Sequence, residues 1–217
     1  MILRLHYHPL SSFCWKALIA LYENGTPFEP VLLADLGDPD TRARFAGLWP
    51  LAKIPLLEDR TRGEIVPETT NMIDYLDRHY PGPVRFIPEE ADAARETRLW
   101  DGIFDLYVQQ PMQKIVGDRL RPRDQRDPYG VAEARRTLAT ALGIVEGVAG
   151  SRKWAGGAEF GLADCAALPA LFYADKVMPF GSDYPNATAL LERLKARPSA
   201  ARVLAEAEPY FRYFPAD

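Results

Sequence analysis

Every strand signal in the sequence lies before Pro81-Gly82-Pro83, and beyond Pro88 nearly everything follows a helical repeat. Prolines fix φ and remove a backbone donor, so neither a strand nor a helix runs through this stretch. The break divides the chain into a small α/β unit over residues 1–82, a linker over 83–88 and an all-helical unit over 89–217. With 217 residues, there is length enough for two small domains.

In the first unit, Ile2 to His6 reads as a short strand, and Pro9 to Ser12 supplies turn and capping residues ahead of a helix starting at Phe13. Cys14, Ala17, Leu18 and Leu21 share one face of that helix, and Asn24-Gly25 ends it. Phe28 to Leu33 is a second strand, which suggests a right-handed crossover between parallel strands. Asp35 to Phe45 reads as a short surface helix. Ile54 to Glu58 and Glu64 to Val66 form a hairpin around Asp59-Arg60-Thr61-Arg62-Gly63, and Thr69 to Tyr80 is a closing helix. The second unit reads as helices over Glu89 to Val116, Tyr129 to Gly147 and Leu162 to Lys176, with two short ones near Thr188 and Ser199.

Composition narrows the function. Lys+Arg 26 against Asp+Glu 30 gives a formal net charge of −4, and neither side of Pro83 carries the basic excess that phosphate-backbone binding needs. Nucleic acid is not an expected partner. The residues are 47% hydrophobic, enough for a globular core, yet no stretch approaches the roughly 18 apolar residues of a membrane span. Cys14 and Cys165 are too few for a disulfide framework and too far apart in sequence for a metal-binding pair, so no metal is expected. Reduced thiols and a charged residue at the fourth position point to a cytoplasmic protein without an export signal.

Three constellations offer chemistry. In Ser11-Ser12-Phe13-Cys14-Trp15-Lys16, a hydroxyl at a helix N-terminus either caps the helix or stabilises an anion held there. Cys14 is a nucleophile if its thiol is accessible, and an inert thiol if it follows Ala17 and Leu18 into the core. In Lys53-Ile54-Pro55-Leu56-Leu57, a proline at a strand start is an ordinary trans residue, or a cis one that turns the preceding backbone towards an extended ligand. In Val66-Pro67-Glu68-Thr69-Thr70-Asn71, Thr69 caps the following helix or receives a carboxylate, with Glu68 beside it for an ammonium group.

Taken in this order on one strand-helix plan, the three constellations resemble the glutathione transferases over essentially the whole chain. The resemblance implies a thioredoxin-like N-terminal domain, an all-helical C-terminal domain and glutathione as co-substrate, with a homodimer and a role in detoxification. It assigns Pro55 as a cis-proline, Ile54 to the cysteinyl backbone of glutathione, Glu68 and Thr69 to its γ-glutamyl end and Lys53 to its glycyl carboxylate. Ser11 would hydrogen-bond the thiolate, with Ser12 alongside as the better placed cap; Ser11-Ser12 followed by Trp15 is most similar to the zeta class. The acceptor, a small hydrophobic electrophile, would come from the helical side, where Trp100, Phe104 and Tyr107 recur at helical spacing and Tyr107 is the candidate pocket residue. Phe160-Gly161-Leu162-Ala163-Asp164-Cys165 resembles the family's capping box, with Gly161 where serine or threonine is usual; Trp49-Pro50 replaces asparagine-proline. The alternatives are a zeta-like glutathione-dependent isomerase or dehalogenase, thiol-disulfide exchange through Cys14, and a non-catalytic ligand-binding module.

Overall fold

Leu3 and Leu5 alternate with polar neighbours and are fully buried, which makes β1 (Leu3–Tyr7) a strand with one face in the core. In the computed structural model, which describes residues 2–33 and 38–215, β1 is central to a four-stranded mixed sheet of order β2-β1-β3-β4. β2 (Phe28–Leu32) runs parallel to β1, with Leu5 opposite Pro30. β3 (Leu56–Asp59) is antiparallel to β1, with Leu5 opposite Leu57, and pairs in turn with β4 (Glu64–Val66). The crossover from β1 to β2 is α1 (Ser12–Glu23), and Gly25 beyond it takes the positive φ of 58° that Asn24-Gly25 suggested.

α2 (Pro39–Leu48) begins with Asp38 accepting from the Thr41 N–H and with proline at its first position. Of the surface helix expected over Asp35 to Phe45, the described residues show Pro39 to Leu48, and Asp35 lies outside them. After α3 (Thr69–His79) the chain passes through an irregular stretch to α4 (Ala91–Ile103). Asp77 ties that stretch down, its carboxylate accepting the N–H groups of Phe86 and Ile87.

The single helix expected from Glu89 to Val116 is instead three pieces: α4, a π-helical stretch Phe104–Gln109, and α5 (Gln110–Arg119). Pro111 has no N–H to give the Tyr107 carbonyl, and the wide turn falls where that bond is missing. α6 (Pro128–Ala149), α7 (Leu162–Val177), α8 (Pro185–Lys195) and α9 (Pro198–Ala207) complete the helical part, followed by a 3₁₀ segment, Glu208–Tyr213. α7 is the axis of that part, buried along most of its length. It packs on α1, so one hydrophobic core runs from the sheet into the helices. Among the described residues, no helix is long and apolar enough to cross a membrane.

Candidate active site

The N-terminal ends of α1 and α3 and the start of β3 meet at a cleft between the two parts of the chain. Lys53, Ile54, Pro55, Glu68 and Thr69 line one cavity there, of about 310 Å³, joined by Phe13, Trp49, Gln110 and Gln113. The Ile54–Pro55 bond is cis. β3 pairs with β1 only from Leu56 onward, so Ile54 lies ahead of the ladder and within the cavity wall.

Thr69 is not the cap of α3. Glu68 occupies that position with a φ of 63°, Thr69 is the first helical residue, and among the described residues no side chain caps the helix. The N–H groups of the first turn, with the positive end of the helix dipole, are therefore available to an anion at the cavity wall. Glu68 is exposed beside it, placed to meet a positive charge.

The cap of α1 falls on the other serine than expected. Ser11, not Ser12, caps α1: its Oγ accepts from the Cys14 N–H at 3.3 Å. The helix begins one residue earlier than Phe13 because Ser11 closes the preceding turn, its own N–H bonding to the His8 carbonyl. Ser12 falls at the first helical position and is buried. Accepting at Oγ leaves the Ser11 proton available to donate. Cys14 is sealed in the core, and burial pushes its thiol up to about 12, so the thiol-exchange alternative loses its nucleophile.

Ser11 and Ser12 border a second cavity of about 490 Å³, walled by Met112, Val116, Gly117 and Leu120 of the α5 side and by Tyr173, Tyr213, Phe214 and Pro215. Gln113 lines both cavities, so they adjoin. Tyr173 donates to the Leu10 carbonyl at 2.9 Å and stacks on Phe214 at 5.6 Å, which fixes Phe214 in this wall. Arg119 donates to the Pro215 carbonyl at 3.3 Å. The stripe Gln110, Gln113, Gly117 and Leu120 follows helical spacing and was the signal in the sequence for this face of the cleft.

Tyr107 does not join them. It lies in a separate groove of about 450 Å³ with Ile103 and with Arg136, Thr137, Thr140, Ala141 and Ile144 of α6, and 53% of it is exposed. Trp100 and Phe104 are buried core residues. The π-helical stretch is the physical reason, since its extra residue per turn rotates the side chains in and after it away from the face an α-helix would give them.

Such a sheet with cleft-facing helix N-termini and a helical second part is the glutathione transferase fold. Residues 5–84 match the glutathione S-transferase N-terminal domain family, and residues 108–198 match the glutathione S-transferase C-terminal domain family. The chain belongs to the glutathione S-transferase family. It is 24% identical to a glutathione S-transferase of Pseudomonas putida over 95% of this chain and 93% of that protein. A maleylacetoacetate isomerase of Pseudomonas aeruginosa is 25% identical over 97% and 94%. Among solved structures, a glutathione S-transferase of Methylobacterium radiotolerans in complex with glutathione sulfonate superposes with a TM-score of 0.81 at 28% identity, covering 93% of each chain. One of Methylobacillus flagellatus with glutathione bound gives 0.84 at 24%, covering 93% and 98%.

Proposed function

We propose that the protein binds glutathione in the smaller cavity, ionises its thiol at the N-terminus of α1, and transfers the thiolate to a small apolar electrophile held in the adjoining cavity. The observation that carries this reading is the gathering of Lys53, Ile54, Pro55, Glu68 and Thr69 in one cavity that meets, at Gln113, the cavity bordered by both serines. The γ-glutamyl carboxylate sits on the uncapped N-terminus of α3 at Thr69, and its ammonium group faces Glu68. Ile54 takes the cysteinyl backbone, and Lys53 the glycyl carboxylate.

A free thiol with a pKa near 8.5 is mostly protonated at neutral pH, and only the thiolate is the nucleophile. The thiol proton leaves to solvent, the Ser11 hydroxyl donates to the resulting thiolate, and the α1 dipole favours its charge. Sulfur then bonds to the electrophilic carbon, and the leaving group departs with the electron pair of the broken bond. An apolar acceptor is favoured over a dianionic one, because none of the described lining residues of the larger cavity is Lys or Arg. The same observation disfavours isomerisation of a dicarboxylate such as maleylacetoacetate.

The exposed apolar residues Leu99, Leu106, Tyr107 and Ile144 supply a face for a homodimer. Two free buried thiols suit a reducing compartment, and we place the protein in the cytoplasm. Calorimetry with glutathione followed by turnover on halonitroarenes, epoxides and a maleylacetoacetate analogue tests the reading. It expects saturable binding and activity on the neutral acceptors, and absence of glutathione binding would end it.

A further inference from the structure

Lys16 is a charge for which glutathione chemistry gives no role. It lies on α1 with none of its side chain exposed. Its ammonium donates to Asp105 Oδ2 at 2.6 Å and Thr70 Oγ1 at 2.9 Å and forms an ion pair with Asp101 Oδ1 at 2.6 Å. The Thr70 hydroxyl donates onward to Asp101 Oδ2 at 2.7 Å. The cluster thereby joins α1 and α3 to α4 and the π-helical stretch, across the two parts of the chain.

Stability alone is a weak reason to bury such a cluster, since well-packed apolar replacements are often neutral or better. Its placement indicates another use. Thr70 is the second residue of α3, directly after Thr69, so Lys16 grips the first turn of α3 beside the cavity that Glu68 and Thr69 line. Two carboxylates against one ammonium also leave one negative charge in excess. Asp101 is sealed, whereas Asp105 keeps 16% of its side chain exposed. Burial pushes the Asp105 carboxyl up to about 6 against the pull of Lys16, and the neighbouring charges of Asp101 and Glu68 add to the rise. The surplus charge thus lies within electrostatic reach of Glu68, at the end of the cavity assigned to an ammonium group.

We propose that Lys16 is a positioning residue for the head-group end of the cleft. Through Thr70 it holds the first turn of α3 against the helical part, and through Asp105 it sets near Glu68 a negative charge that a bound ammonium group neutralises. The inference rests on the glutathione reading.

The test compares binding of glutathione with that of its deamino analogue, in which hydrogen replaces the γ-glutamyl amino group. Steady-state kinetics run alongside, on the wild type and on Thr70→Val, Asp105→Asn and Lys16→Met. Thr70→Val keeps both ion pairs and removes only the bridge; it raises KM for glutathione about tenfold, with kcat at saturation within about twofold. Asp105→Asn cuts the preference for glutathione over the deamino analogue about tenfold. Lys16→Met shows both defects; should that variant fail to fold, the two near-isosteric ones decide. A folded Thr70→Val with the wild-type KM, or a folded Asp105→Asn with the wild-type preference, overturns the proposal while leaving glutathione binding intact. A wild type that binds no glutathione overturns the reading beneath it as well.

Discussion

Ser11 combines two tasks that are separable by experiment. As the cap of α1 it satisfies the Cys14 N–H, so Ser11→Ala lowers stability by about 0.5–2 kcal/mol in denaturant unfolding. As the proposed thiol donor its loss is larger in turnover, about 10²-fold in kcat at neutral pH if this hydroxyl is as valuable as an oxyanion-hole donor. Ser12→Ala, which removes no cap, leaves turnover nearer to the wild type. Glu68→Ala weakens glutathione binding by about 1.5–3 kcal/mol, the worth of a charge-assisted hydrogen bond, as calorimetry would show. Asp105 supplies a pH signature. Its folded carboxyl titrates at about 6 against about 3.9 unfolded, so between these values the folded state holds a proton that the unfolded state has released. Its contribution to stability is complete below the unfolded value and declines as pH rises through the folded one. The stability of the wild type relative to Asp105→Asn therefore falls from pH 4 to pH 6 in parallel urea titrations, and a constant difference would contradict the assignment. The Glu68-Thr69 pair was legible because strand-to-helix chemistry is local. Lys16 was not: its partner Asp105 lies 89 positions away in the other part of the chain, and an unpaired lysine belongs at the surface.

Helix boundaries carry the next layer. The order of strands and helices follows from periodicity and breakers, and the hairpin and the α1 crossover stand where Gly63 and Asn24-Gly25 indicate. A one-residue shift at the helix start was enough to move the cap of α1 from Ser12 to Ser11, because a cap is defined by backbone angles that neither serine announces. The π turn before Pro111 carried Tyr107 out of the cleft in the same way. Gly161 shows the opposite case, a departure from the family's serine or threonine that packing explains. The Leu162 N–H bonds to the Phe86 carbonyl at 2.9 Å, and a Cβ at residue 161 would stand 2.7 Å from that oxygen. Gly161→Ser thus destabilises the protein although it restores the usual residue. Asp164 does the remaining capping work, with its carboxylate accepting from Ala155 N–H at 2.7 Å and Gly161 N–H at 3.0 Å. Asp164→Ala leaves both buried donors unpaired and costs about 2–5 kcal/mol in thermal or denaturant unfolding.

At the scale of the molecule, the cleft exists because α1 is shared. One face of it covers the sheet, another packs on α7, and its N-terminus opens between them. The apolar face around Tyr107 and Ile144 belongs to this scale too. Ile144→Asp yields a monomer by light scattering if that face joins two copies, and an unchanged mass would place the interface elsewhere. The central claim is that glutathione bound in this cleft is held as a thiolate. Thiolate absorbance of the glutathione complex, followed against pH, tests it directly. The account predicts a saturable signal that titrates well below the free value near 8.5 in the wild type and moves back towards it in Ser11→Ala. A bound thiol that titrates as it does in water, or with the same midpoint in both proteins, would contradict it.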